Sequence, residues 1–164
     1  MTNGLSRRSL VVMALILPWA SETLVHAAPV SFKVPMTGSQ EVPPVQTNGY
    51  GIADLTYDPD TRVVTWTITY RGLSSPVIVV QFHGPGQPGK NAPGLLSLTK
   101  QDSSVESPIT GQATLTPEQS RQFAAADWYI NIHTQTYPEG EIRGLVLTPV
   151  PERARSGRGG GRRH

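Results

Sequence analysis

The chain has 164 residues, no cysteine and a formal net charge of +2, which bounds it to one domain whose core folds without disulfides. A thiol nucleophile and a thiolate metal site are excluded. Between Pro29 and Val150 seven basic residues stand against ten acidic ones, whereas five arginines and one glutamate follow. The basic character therefore belongs to the C-terminal tail, and the expected domain is slightly acidic.

The N-terminus has the order of an export signal. Arg7 and Arg8 precede an apolar run from Leu10 to Ala20, and a polar stretch then leads to the small residue Ala27. The run is shorter than the roughly twenty apolar residues of a membrane-spanning helix, so we expect a cleaved signal over residues 1–27 and no transmembrane anchor. The arginine pair also resembles a twin-arginine signal, which leaves the Sec and twin-arginine routes open. Both routes predict a periplasmic or extracellular protein.

Short runs of period-two alternation predict an all-β fold, a sandwich or barrel, for residues 29–150. The clearest pattern is a hairpin, in which alternating residues from Ala53 to Tyr57 and from Val64 to Tyr70 flank the turn sequence Asp58-Pro59-Asp60. The remaining strands bring the total to about eight, and we expect them around Phe32, Val77 to His83, Leu95 to Leu98, Ile109 to Leu115, Asp127 to His133 and Ile142 to Leu147.

One short helix interrupts the strands. Thr116 is a capping residue, Pro117 suits the first turn, and Gln119 completes a capping box. The segment from Gly84 to Gly94 is rich in glycine and proline and predicts a long loop, a common location of functional residues. Residues 151–164 combine arginine and glycine without apolar side chains, so we expect a disordered tail.

Two histidines, His83 and His133, lie within the expected domain. Alternation places Gln81 beside His83 on one strand face, and Asn131 beside His133 on another. If these strands are neighbours, the imidazoles converge on copper or zinc, with Gln81, Asn131 or Glu141 completing a thin ligand set. The alternative is that both imidazoles make local hydrogen bonds and stiffen the loop beside them. We favour this alternative on the residues alone, because two histidines are few ligands for a metal ion.

The sequence Gly140-Glu141-Ile142-Arg143-Gly144 places a carboxylate and a guanidinium two residues apart, and therefore on one face of a strand. We expect a structural ion pair of Arg143 with Glu41 or Glu141. The alternative is bidentate binding of a carboxylate or phosphate ligand by Arg143.

Enzyme signatures are absent from the sequence. It contains no Gly-x-Ser-x-Gly, phosphate-loop or dinucleotide motif. We therefore expect a non-enzymatic protein without a resident cofactor, except for the copper or zinc ion considered above. The arginines of the tail suit contact with an anionic cell surface, or they only solubilise the domain. Nucleic acid is a poor candidate partner for an exported chain.

The motifs follow one another in an order that resembles the CHRD domain, which is named from chordin and occurs in many exported bacterial proteins. The resemblance extends over nearly all of Val30 to Val150. It rests on four separated motifs: Gly38-Ser39-Gln40-Glu41-Val42-Pro43-Pro44, Phe82-His83-Gly84-Pro85, Tyr129-Ile130-Asn131-Ile132-His133-Thr134, and Pro138-Glu139-Gly140-Glu141-Ile142-Arg143-Gly144.

This resemblance implies an immunoglobulin-like β-barrel with limited similarity to copper/zinc superoxide dismutases, and a family without an established biochemical role. Members commonly carry His-x-His where this chain has Gln81-Phe82-His83, a departure that counts against metal binding. Dismutase chemistry needs more histidines than His83 and His133. Because chordin is an extracellular protein that binds growth factors, the resemblance implies a binding or structural module in the cell envelope or outside the cell, with a protein or cell-surface partner.

Overall fold

The structure, a computed structural model, describes residues 27–87, 89–99 and 105–149. The expected tail, and all of the expected export signal except its last residue, lie outside the described residues. Within the described ranges, no helix has the length and apolar character needed to cross a membrane.

Eight strands in the described ranges form one curled antiparallel sheet, ordered β5-β4-β7-β8-β1-β2-β3-β6. The predicted all-β fold with one short helix is thereby confirmed. The elements are β1 (Val30–Thr37), a 3-10 turn (Gly38–Gln40), β2 (Tyr50–Asp58), β3 (Val63–Arg71), β4 (Val77–His83), β5 (Gly94–Ser97), β6 (Ile109–Thr114), α1 (Pro117–Ala124), β7 (Tyr129–Thr134) and β8 (Ile142–Leu145).

The predicted hairpin is the pair β2 and β3, in which Leu55 lies opposite Trp66. Asp58 initiates the turn, because its Oδ1 accepts a hydrogen bond from the backbone N–H of Asp60 at 2.9 Å. The apolar residues on one face of both strands are buried and belong to the core. The alternation in the sequence therefore identified the correct inward face.

The predicted capping box is present at the start of α1. Thr116 Oγ1 accepts from the N–H of Gln119, and Gln119 Oε1 accepts from the N–H of Thr116, at 3.2 and 2.9 Å. The helix buries Phe123, whose ring centroid lies 4.9 Å from that of Tyr57 and 5.5 Å from that of Trp128. Through Phe123 the helix completes the apolar core between the two halves of the curled sheet.

Strand β7 differs from the other strands because all six of its residues are buried. Ile130 and Ile132 belong to the apolar core. Tyr129, Asn131 and His133 project from the opposite face, as alternation requires, and hydrogen bonds connect this face to the loops that follow β4 and β7. The sheet therefore has a second buried surface, and this one is polar.

Phe123→Ala is expected to lower the free energy of unfolding by about 3–5 kcal/mol, because it removes a fully buried ring and leaves a cavity among other aromatic residues. Chemical denaturation followed by tryptophan fluorescence measures the change. Gln112→Ala, at an exposed position of β6, is the control and should shift stability by less than about 0.5 kcal/mol. Equal effects of the two substitutions would contradict the placement of α1.

Candidate functional site

The candidate site is the polar layer, defined as His83, Tyr129, Asn131, His133 and Arg143 on the outer face of the neighbouring strands β4, β7 and β8. The register explains how they assemble: His83 lies opposite Tyr129, and Asn131 lies opposite Arg143. All five side chains are buried. Strands β4 and β7 are neighbours, so the condition under which the sequence brings the two histidines together is met.

The two imidazoles contact each other directly. The Nε2 atoms of His83 and His133 are 3.1 Å apart, and the ring centroids are 5.3 Å apart. The register does not place the histidines side by side, because His133 pairs with Val79 whereas His83 pairs with Tyr129, four residues earlier on β7. The side chains therefore reach towards each other along the sheet.

Both histidines use their second ring nitrogen to bind backbone. His83 Nδ1 lies 2.9 Å from the carbonyl oxygen of Ala92, and His133 Nδ1 lies 2.9 Å from that of Pro138. A carbonyl oxygen only accepts, so both Nδ1 atoms must carry the proton. In the neutral rings neither Nε2 atom then carries a proton. The 3.1 Å contact is a hydrogen bond when one ring is protonated, and otherwise it needs another cation to bridge the two lone pairs.

Burial lowers the pKa of His83 below its ordinary value, and the charges of His133 and Arg143 act in the same direction, against the opposing effect of the Ala92 carbonyl. His83 is only 8 % exposed and His133 only 7 %. The pair is thus nearly enclosed beneath the loops that hold it.

Tyr129 links the histidines to Arg143. Its ring stacks on that of His83 with centroids 4.9 Å apart, and the guanidinium carbon of Arg143 lies 3.6 Å from its centroid, a close cation–π contact. Its hydroxyl accepts from the N–H of Ala92 at 2.9 Å. Tyr129 therefore supports both His83 and the segment of loop that His83 binds.

Arg143 also fixes the glycine- and proline-rich loop between β4 and β5. Its Nη1 donates to Asn91 Oδ1 at 3.2 Å, and its Nη2 donates to the carbonyl of Lys90 at 3.0 Å. Asn91 in turn donates to the carbonyl of Val42 at 2.8 Å. With both Nη atoms used in this way, Arg143 holds a loop, while its buried Nε has no hydrogen-bond partner. The geometry gives no support to bidentate ligand binding.

The expected ion pair of Arg143 with Glu141 is not formed. Glu141 is fully buried and accepts four hydrogen bonds: from Thr47 Oγ1 at 2.6 Å, from Ser74 N and Oγ at 2.9 and 2.8 Å, and from Thr134 Oγ1 at 2.7 Å. Burial alone would raise the pKa of Glu141, but these hydrogen bonds outweigh it and hold the pKa below its ordinary value. Glu141 is a structural anion that joins three segments.

Glu41 is the carboxyl group on which the charge of Arg143 acts. It is 6 % exposed, and burial raises its pKa to about 7, although Arg143 and a hydrogen bond with Asn131 oppose the shift. Among the described residues Glu41 Oε1 and Asn131 Oδ1 have no hydrogen-bond partner. Glu41 also lines a cavity of about 250 Å³ between residues 41–45 and 136–140. Among the described residues Arg143 makes no ion pair with Glu41 either, and it acts on Glu41 only through its charge.

Three side chains were expected to complete a metal site. Asn131 belongs to the polar layer, whereas Glu141 and Gln81 make other contacts. Glu141 is occupied by hydroxyl groups, and Gln81 packs against the backbone of Gly94. In the part of the chain that the structure describes, no three histidine or acidic side chains are grouped to hold a metal ion. Sequence reasoning missed Tyr129 as a site residue, although its position two residues before Asn131 on an alternating strand was the available signal.

Glu41→Gln tests the environment of Glu41 through the pH dependence of stability. The pKa of the Glu41 carboxyl is 4.5 in the unfolded chain and about 7 in the folded protein. The neutral carboxyl therefore stabilises the fold fully below pH 4.5, and this contribution is lost as the pH rises through 7. Relative to Glu41→Gln, the wild type should lose on the order of 2 kcal/mol between pH 4.5 and 8. Urea denaturation across this range measures the loss.

Glu139→Gln is the matched control, since Glu139 lines the same cavity with an exposed side chain. It should leave the pH profile of the wild type unchanged. Parallel profiles for the wild type and Glu41→Gln would show that the carboxyl is not held in a buried environment.

Comparison with known proteins identifies the family. The family model described as the CHRD domain matches residues 32–146, a range that includes the polar layer, Glu41 and all the strands from β2 to β8. The curated proteins and the solved structures gave no match. Because the matched range is well over half of its length, the chain belongs to the CHRD domain family.

Proposed function

We propose that this protein is an exported, non-enzymatic binding module that holds one copper or zinc ion between His83 Nε2 and His133 Nε2. The observation that supports this most directly is the convergence of the two Nε2 atoms at 3.1 Å while both Nδ1 atoms are committed to backbone carbonyls. Neutral imidazole with a free Nε2 is the form in which histidine binds these metals.

The spacing of the two donors suits a shared ion. Metal–nitrogen bonds of about 2.0–2.1 Å across a 3.1 Å separation subtend an angle of about 100° at the metal. This angle lies between the roughly 90° of adjacent square-planar ligands and the roughly 109° of tetrahedral ligands. The separation of the two Nε2 atoms is therefore compatible with two donors to one ion.

The surroundings of the pair are those of a supported metal ligand. Metal-binding histidines typically donate their other N–H to a carbonyl or carboxylate, which fixes the tautomer and the ring orientation. Ala92 and Pro138 provide these acceptors, and Tyr129 stacks on one ring. With only two protein donors, we expect the affinity to be modest compared with that of closed three- or four-ligand sites.

The competing interpretation is a structural brace. One proton shared between the two Nε2 atoms would also satisfy the 3.1 Å contact, and the pair would then only hold the loops of Ala92 and Pro138 against the sheet. Burial opposes the imidazolium that this requires. The two interpretations differ in whether the purified domain binds a metal ion.

After incubation with Cu²⁺ or Zn²⁺ and removal of excess, the purified domain should retain about one equivalent of metal, and His133→Ala should release it. Elemental analysis measures the metal content, and NMR titration should move the signals of both imidazoles together. Gln135→Ala, an exposed position next to β7, is the control and should retain the metal. A wild-type domain without stoichiometric copper or zinc leaves the brace as the explanation.

Export is the second part of the proposal and rests on the N-terminal sequence. Arg7 and Arg8, the apolar run and Ala27 have the order of a cleaved signal, and CHRD domains occur in secreted proteins. The basic residues beyond Val150 suit contact with an anionic cell surface. We therefore place the domain in the periplasm or outside the cell, with a protein or cell-surface partner.

Cell fractionation should find the protein outside the cytoplasm, with a mature N-terminus near position 28 by mass spectrometry. Replacing Arg7 and Arg8 together by lysine keeps the positive charge, so export that survives the change indicates the Sec route, and export that is lost indicates the twin-arginine route. Full-length, uncleaved protein in the cytoplasm would contradict export.

A further inference from the structure

We propose that the cavity lined by Glu41 binds one aromatic side chain of a partner protein, a tyrosine or a tryptophan, whose O–H or N–H donates to the Glu41 carboxyl group. This inference rests on the protein partner in the proposed function, and it is independent of metal binding by the histidine pair. Three features of the cavity support it: walls that are already fixed, a buried acceptor without a partner, and a volume that suits one ring.

The two segments that form the cavity are held in place by hydrogen bonds. Asn91 Nδ2 donates to the carbonyl of Val42 on one side at 2.8 Å. On the other side, His133 Nδ1 donates to the carbonyl of Pro138 at 2.9 Å. The walls are therefore fixed before a ligand enters, which lowers the entropic cost of binding.

Glu41 supplies the cavity with an acceptor. Its side chain lines the cavity and is 6 % exposed, and among the described residues its Oε1 has no hydrogen-bond partner. The terminal torsion of a glutamate has a broad energy profile, so a small rotation of the carboxyl group can direct this oxygen into the cavity. Because a buried acceptor without a partner costs free energy, a ligand that donates one hydrogen bond to Glu41 is favoured.

The donor that suits Glu41 is uncharged. Burial raises the pKa of Glu41 to about 7, against the effect of Arg143, so below that pH the carboxyl group is mostly neutral and attracts an ammonium group only weakly. Arg143 is itself buried and permanently charged. An ammonium group at Glu41 would place a second cation near this guanidinium in a poorly solvated region, whereas a hydroxyl or an N–H adds no charge.

The volume and the walls suit one aromatic ring. An apolar cavity of about 150 Å³ holds benzene, so the cavity of about 250 Å³ has room for a phenol or an indole. Apolar side chains form most of the walls, namely Val42, Pro43, Pro44, Val45 and Pro138. A sugar ring carries hydroxyl groups around its whole edge, which these walls could not satisfy. A flat ring with a single donor matches one acceptor among apolar walls.

The rim of the cavity favours a side chain over a free small molecule. Pro43, Pro44 and Pro138 are exposed although they line the cavity, so a ring alone would leave these apolar groups in contact with water. A partner protein would cover them with the atoms that surround its aromatic side chain. Tyrosine and tryptophan are enriched at protein interfaces, where they fill such pockets.

The test is an NMR titration of the full domain at pH 7 with 4-methylphenol, which reproduces the side chain of tyrosine. It should bind with a 1:1 ratio and shift backbone amide signals within residues 41–45 and 136–140. Toluene has the same ring without the hydroxyl and should bind about five- to tenfold more weakly, because it leaves the Glu41 oxygen without a partner. Benzylamine, an ammonium ion at this pH, should also bind more weakly than 4-methylphenol.

Glu41→Met tests the role of the acceptor, because it removes both carboxyl oxygens and keeps an unbranched side chain. The ratio of the affinities for 4-methylphenol and toluene should fall to about one, and this ratio is insensitive to a general loss of stability. Glu139→Met is the matched control, since Glu139 lines the same cavity with an exposed side chain, and it should keep the ratio of the wild type. An unchanged ratio in Glu41→Met would overturn the role of Glu41.

The source of the ring is tested with a tripeptide that has a central tyrosine and blocked ends. It should shift the same amide signals at least as readily as 4-methylphenol, and binding of 4-methylphenol alone would overturn the assignment to a partner protein. If none of the aromatic probes shifts these signals, or if benzylamine binds most tightly, the cavity is not the proposed site. These titrations measure neither metal retention nor export, so their failure is distinguishable from failure of the proposed function.

Discussion

The rest of the structure depends on the burial of both faces of β7. The inner face packs Ile130 and Ile132 into the apolar core, and the outer face carries Tyr129, Asn131 and His133 beneath loops. Buried polar groups are costly unless they are hydrogen-bonded, so the outer face determines the course of the loops above it. The loops are held in place by polar side chains of the sheet, in the absence of disulfides.

The two buried carboxyl groups of this region, Glu141 and Glu41, differ in their preferred protonation state. Glu141, with four donors, is an anion that stabilises the fold, because its hydrogen bonds favour the ionised form. Glu41 has Asn131 and Arg143 around it and resists ionisation, because burial outweighs them. The same residue type thus has opposite protonation preferences within one polar region, and the number of hydrogen-bond donors around each carboxylate decides which preference it has.

The sequence predicted local features well and the assembly of the site poorly. Alternation identified the hairpin of β2 and β3, and Thr116 with Gln119 identified the start of α1, because both depend on neighbours in the chain. Alternation also placed His83 and His133 on polar strand faces. That their Nε2 atoms meet depends on the order of the strands and on side chains that reach along β7. Their Nδ1 partners are backbone carbonyls, which no residue type reveals.

The attachment of the loop at Ala92 has a kinetic consequence. The carbonyl of Ala92 accepts a hydrogen bond from His83 Nδ1 and a second one from the hydroxyl of Tyr129. The N–H of Ala92 donates to the same hydroxyl. Lifting this segment would open a path to the imidazoles and, in the same movement, release the ring orientation of His83. For the proposed metal ion, entry to the site and loss of a preorganised donor would therefore be coupled, so loop opening would set both the rate of exchange and the affinity of the transient open state.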